Sequence, residues 1–250
     1  MRYHIDTIPV WDAVKAKSGC PLCLLRLKIE ENDVVRYLGG SVMEPDTRIR
    51  VNARGFCPRH QVLLYAQKNR LGHALMMHSH LIETRREVAS VFEKAAKGRS
   101  SGGRLFSRDR GEGKDAVRSA AGKLKSLSSS CILCDSIREN LDRYAYTLIH
   151  LYKTDTAFKK AFAENGGVCL SCAGDLMNMA ADEMKEDLLS EFVQTLGAGL
   201  SARMEQEERD LKNFTLIFDY RNAGKTLEGT TGALERTVNT LRGICLDEPK

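Results

Sequence analysis

Apolar residues recur every three or four positions through most of this chain, and no stretch shows the sustained alternation of a strand. Pro9 sits where a first-turn proline is tolerated and opens a short helix, Val10–Ala16. Leu24, Leu27, Val34, Val35 and Leu38 then form one apolar face that stops at Gly39-Gly40. Ile137, Leu141, Tyr144, Leu148 and Tyr152 repeat the pattern further on. Asp46-Thr47 and Asp155-Thr156 begin short helices that end at Gly55 and at Gly166-Gly167. One helix is expected to carry Leu63, Leu64, Leu71, Leu75, Ile82, Ala89 and Phe92. Another carries Leu176, Met179, Leu189, Phe192, Val193, Leu196 and Leu200 and runs on through Leu211, Phe214 and Phe218. The pattern predicts an all-α fold.

The periodicity fades between Gly98 and Ser130. Six glycines and the Ser128-Ser129-Ser130 run stand there, with eight basic residues (Arg99, Arg104, Arg108, Arg110, Lys114, Arg118, Lys123, Lys125) against three acids. That excess accounts for the whole net charge of +5, so the rest of the chain balances. The expected organisation is a helical repeat over 1–97, a flexible basic linker over 98–130, and a second repeat with a C-terminal helical extension over 131–250. A solvated linker is the first reading, and contact with nucleic acid or an anionic surface through 99–125 is the alternative. No apolar run approaches the ~20 residues of a membrane span. Met1 to Val14 lack the apolar centre of a signal peptide, so a cytoplasmic location is expected, where paired cysteines point to metal or redox chemistry.

Seven of the eight cysteines fall, with one histidine, into four tight pairs. Cys20 and Cys23 are followed by Cys57 and His60, and Cys131 and Cys134 by Cys169 and Cys172, so a C-x2-C…C-x2-H unit is echoed by C-x2-C…C-x2-C. Two intervening residues let one turn aim two side chains at one ion, and two such pairs close a tetrahedral site. Each pair falls near the first turn of a helix, where unpaired N–H groups and the positive helix end favour thiolate. Two zinc ions are expected, with an iron–sulfur cluster as the alternative that the single histidine counts against. Pairing within each half is preferred, since a duplicated unit should fold alone. Cross-pairing of Cys20 and Cys23 with Cys169 and Cys172 is the other arrangement.

Other residues carry less chemistry. His73, His78 and His80 read as surface or packing groups, and Cys245 as a plain thiol. Glu205, Glu207, Glu208 and Arg209 read as the solvated face of a long helix, and Met177, Met179 and Met184 as core fillers. No strand precedes a C-x-x-C pair in the manner of a thioredoxin, and there is no G-x-S-x-G, P-loop, G-x-G-x-x-G or H-E-x-x-H. Four protein ligands leave no open position on the metal, which points away from an enzyme and toward a scaffold or adaptor that binds another protein.

Cys20-Pro21-Leu22-Cys23, Gly55-Phe56-Cys57-Pro58-Arg59-His60, Cys131-Ile132-Leu133-Cys134 and Phe218-Asp219-Tyr220-Arg221 together resemble a bacterial family recorded as a domain of unknown function. The resemblance spans nearly the whole chain and implies the helical fold and both metal sites, without an activity. Two departures stand out. Cys172 occupies the place of an expected histidine, and Asn222–Gly232 replace an acidic, tryptophan-containing segment.

Overall fold

The computed structural model describes residues 6–16, 19–97, 112–222 and 224–248, and all regular elements among them are helices. Two compact units emerge, Met1–Ile29 with Glu139–Lys250, and Glu30–Arg138. These boundaries differ from those of the two expected repeats. Two long helices, α2 (Pro21–Leu38) and α7 (Ile132–Thr154), each contribute one part to each unit.

The first unit contains α1 (Thr7–Lys15), the start of α2, the rest of α7, α8 (Thr156–Glu164), α9 (Leu170–Glu183), α10 (Glu186–Ile217) and α11 (Ala233–Arg242). Its core is aromatic. Trp11 meets Phe158 edge-on at 5.0 Å, and Tyr152 meets Phe192 at 4.9 Å. The Asp155 carboxylate caps α8, accepting from the N–H groups of Ala157 and Phe158 at 2.9 and 3.1 Å. The run expected from Leu176 to Phe218 is two helices. Met184 and Lys185 are extended, and Glu186 and Asp187 follow at the positive end of α10, where acidic side chains favour a fresh start.

The second unit holds the end of α2, a 3-10 turn at Gly40–Met43, α3 (Pro45–Arg54), α4 (Pro58–Ala66), α5 (Arg70–Lys97), α6 (Glu112–Ser129) and the start of α7. Val34, Tyr37, Val51, Leu64, Met76 and Leu133 form its core. The helix expected from Leu63 to Phe92 breaks at Lys68, whose φ is 65°. Asn69 then starts α5: its Oδ1 accepts from the Gly72 N–H at 3.0 Å while its Nδ2 donates to Leu38 O at 2.7 Å. Leu71 and Phe92 are exposed rather than core. Part of the expected linker is helical, because Ala116, Ala120, Leu124 and Leu127 make a half-buried stripe at helical spacing in α6. Lys123 of α6 pairs with Glu87 of α5 at 2.7 Å. Arg99, Arg104, Arg108 and Arg110 lie outside the described residues.

Candidate metal centres

The four pairs occupy equivalent places. Cys57 and Cys169 are the N-cap residues of α4 and α9, and Cys20 and Cys131 stand immediately before α2 and α7. The second member of each pair (Cys23, His60, Cys134, Cys172) is therefore the third residue of its helix. Proline at position 21 or 58 fits the first turn of α2 and of α4, where its missing N–H costs nothing. Both side chains of a pair thus point off one helix end, toward the same spot.

The structure assembles the pairs across the halves. Cys20, Cys23, Cys169 and Cys172 form one group and Cys57, His60, Cys131 and Cys134 the other, with all donor atoms of a group within 4.8 Å of one another. The preference for pairing within each half is therefore corrected. The cause lies in the apolar residues between the ligands. Leu22 is buried in the core of the first unit with Val168, Ala173 and Leu176 around α9, whereas Ile132 and Leu133 are buried with Phe56 and Leu64 beside α4. Each helix start follows its core, and the ligands go with it. Ile132 N–H donates to Gly55 O at 3.1 Å and Arg54 forks onto Asp135 at 2.7 and 2.9 Å, fastening the start of α7 beside α4.

The spacings fit one tetrahedral ion per group. Metal–sulfur bonds of about 2.3 Å place tetrahedral sulfurs about 3.8 Å apart. Cys23 Sγ lies 3.6 Å from Cys169 Sγ and 3.8 Å from Cys172 Sγ, and Cys57 Sγ lies 3.7 Å from Cys134 Sγ. His60 Nδ1 is 3.2 Å from Cys57 and Cys131 and 3.5 Å from Cys134, near the roughly 3.6 Å that mixed nitrogen and sulfur ligation gives. All eight cysteines are free thiols.

Around the histidine-containing group a second layer sets the tautomer. His60 Nε2 lies 3.1 Å from Glu30 Oε1, so the proton on Nε2 is held by the carboxylate and the Nδ1 lone pair faces the sulfurs. Arg59 holds both Glu30 oxygens at 2.7 Å. Burial pushes the His60 imidazole below its ordinary value against the opposing pull of Glu30, which keeps the ring neutral near pH 7. The all-cysteine group is covered by residues 243–244. A Cβ at Gly243 would lie 3.4 Å from Cys23 Sγ and 3.8 Å from Cys169 Sγ. Arg26 fixes this segment by donating to Ile244 O at 2.6 Å.

The thiols divide into two kinds within each group. Burial raises Cys57, but the N–H groups of His60 and Arg59 and the neighbouring thiols outweigh it and leave Cys57 below its ordinary value. Cys134 is pushed up to about 12 by burial and then by the charge on Cys131. In the other group, hydrogen bonds from Cys172, Cys20 and Cys23 lower Cys169, and the matching bonds raise Cys172. So many sulfurs this close cannot all shed their protons unaided. A divalent cation among them removes that repulsion, so the donor chemistry and the spacing agree.

The remaining candidates lie elsewhere. His73 Nε2 bonds Gln61 Oε1 at 2.7 Å, and His80 Nδ1–H donates to Asn52 O at 2.8 Å. Cys245 is exposed. Met184 is buried and Met177 is 44% exposed. Glu207, expected on a solvated face, is buried, and so is Asp210 three residues on. Glu30 was not legible as a partner of His60, because thirty residues separate them and no local spacing links them. Among the described residues no helix is long and apolar enough to cross a membrane.

No curated protein and no solved structure matches the chain. The profile of a family described only as one of unknown function, DUF6062, matches residues 1–248. With practically its whole length covered, the chain belongs to that family.

Proposed function

We propose that this protein is a non-catalytic, zinc-stapled helical scaffold that docks another protein in the cytoplasm. Cys20, Cys23, Cys169 and Cys172 hold one ion, and Cys57, His60, Cys131 and Cys134 hold the other. The observation that carries this reading is closure: each group supplies four donors at the mutual spacing of a single tetrahedral ion. Nothing is left for a water or a substrate to occupy. An iron–sulfur cluster would bind its thiolates through several irons bridged by sulfide and spread them wider than one ion does. Each ion joins two helix starts far apart in sequence, and such staples are worth about 10–16 kcal/mol in apparent binding energy against a domain stability of about 5–15 kcal/mol. Phe218 and Tyr220, 77% and 86% exposed just past the end of α10, offer the kind of aromatic anchors that protein interfaces favour.

Elemental analysis of protein expressed without added metal should give close to two zinc ions per chain. A brown preparation with charge-transfer absorbance would replace zinc by iron–sulfur. For the alternative, binding of an anionic polymer through 99–125, two described cations of that segment are already paired, Arg118 with Asp115 and Lys123 with Glu87. Early elution from heparin at low salt supports the scaffold, whereas retention with a steep salt dependence supports the alternative.

A further inference from the structure

The first unit contains an open cleft of about 860 Å³, within the range of roughly 300–1,000 Å³ typical of small-molecule sites. One wall is a single face of α10. Ala198, Gly199 and Ala202 leave it bare where Phe192 and Leu196, earlier on the same helix, are core residues. Arg203, Gln206 and Glu207 continue that face, α11 contributes Arg236, Asn239 and Thr240, and Gly19, Cys20 and Ile244 bring the cleft up to the all-cysteine group.

Most polar groups in the cleft are already committed. Arg236 donates to Asp210 at 3.0 Å, to Gly229 O at 2.8 Å and to Thr231 O at 2.6 Å. Asp210 also accepts from Gln206 at 2.7 Å. Asn239 spends its side chain on folding the end of the chain, accepting from the N–H groups of Cys245 and Leu246 and donating to Leu246 O. Two charged groups on α10 keep capacity. Arg203 uses one N–H on Gly19 O at 3.3 Å, and Glu207 accepts from the Thr240 hydroxyl at 2.7 Å. They stand one helical turn apart on the cleft face of α10, and among the described residues neither enters an ion pair. Glu248 lines the cleft too, a carboxyl besides Glu207 and the paired Asp210.

This set discriminates by charge. A purely anionic ligand would reach Arg203 but meet Glu207 and Glu248. A purely cationic one would reach the carboxyls but meet Arg203. We propose that the cleft binds an α-amino acid or short peptide with a free carboxylate on Arg203, a free ammonium on Glu207, and an apolar side chain against Ala163, Ala198 and Ala202. Burial pushes the Glu207 carboxyl above its ordinary value while Thr240, Arg203 and Arg236 pull it down, and a bound ammonium would add a positive charge in direct contact with it.

The test uses the full chain with its metal content measured in every sample. L-leucine, L-phenylalanine and L-leucyl-L-leucine are titrated by calorimetry. At least one should bind, with N-acetyl-L-leucine and L-leucinamide about tenfold or more weaker than L-leucine, the scale of losing a charge-assisted hydrogen bond. Arg203→Met should weaken the binding amino acid but leave L-leucinamide unchanged, a selectivity that general damage to the fold would not produce. Ala202→Phe should fill the cleft and abolish binding with both ions retained. No binding by a sample with both ions overturns this inference and leaves the proposed function standing, as does binding unaffected by Ala202→Phe. Binding by a sample with fewer ions supports the inference and counts against the zinc reading.

Discussion

Replacing Glu30 by Ala should weaken one metal ion and spare the other. The Glu30 carboxyl is 6% exposed and holds His60 Nε2 at 3.1 Å, so its removal leaves a buried imidazole N–H without its carboxylate partner. Loss of such an outer carboxylate lowers metal affinity about 10- to 100-fold, or roughly 1.4–2.7 kcal/mol. The bond to Arg59 adds little, because that guanidinium is 55% exposed and an ion pair with one solvated partner contributes less than about 1 kcal/mol. Arg59→Ala should therefore be much milder. Glu30→Gln should fall between, since its amide oxygen can still accept from Nε2. Competition against a chromophoric chelator, fitted to two sites, separates the ions. The histidine-containing site should weaken by that factor while the all-cysteine site stays put. Unchanged affinity at both sites, or a loss confined to the all-cysteine site, would refute the role given to Glu30.

Gly55 and Gly243 both have positive φ, at 59° and 82°, with ψ near the extended limit that only glycine adopts readily. A Cβ at Gly55 would also lie 2.4 Å from His80 Nε2, so Gly55→Ala should lower Tm more than Gly243→Ala, whose nearest contact is 3.4 Å; equal melts would contradict this. Glu207→Gln tests the raised carboxyl. Because folding raises its value, its contribution is present at low pH and is lost as pH rises through the folded value. The variant should thus match the wild type near about pH 4 and melt increasingly above it toward about pH 8, and a gap that shrinks with rising pH would reverse the sign.

Helix positions and ligand identities were legible because both are local. The period of Ile137 to Tyr152 and the two-residue gap between ligands need only a turn or two of chain. Partnership was not. Cys20 and Cys23 lie closer in sequence to Cys57 than to Cys169, and what sends them to Cys169 is the burial of Leu22 and Leu25 in a core that α8, α9 and α10 supply. The break at Lys68 was hidden for a related reason. Apolar spacing continues through it, and only the use of the Asn69 side chain, which also reaches Leu38 O, reveals a new helix start. Glu207 read as solvent-facing because α11, which covers it and Asp210, carries polar residues on that face. Thr240 bonds Glu207, and Arg236 bonds Asp210.

The central claim is that each ion is shared between the two halves, and zinc stoichiometry of two double variants tests it most directly. Cys57→Ser with Cys134→Ser damages a single group in the crossed arrangement, so the protein should retain one zinc ion, bound by the four remaining cysteine ligands. Cys23→Ser with Cys57→Ser damages both groups and should retain none. If instead the first variant loses both ions while the second keeps one, the ligands pair within each half and the crossed arrangement is wrong.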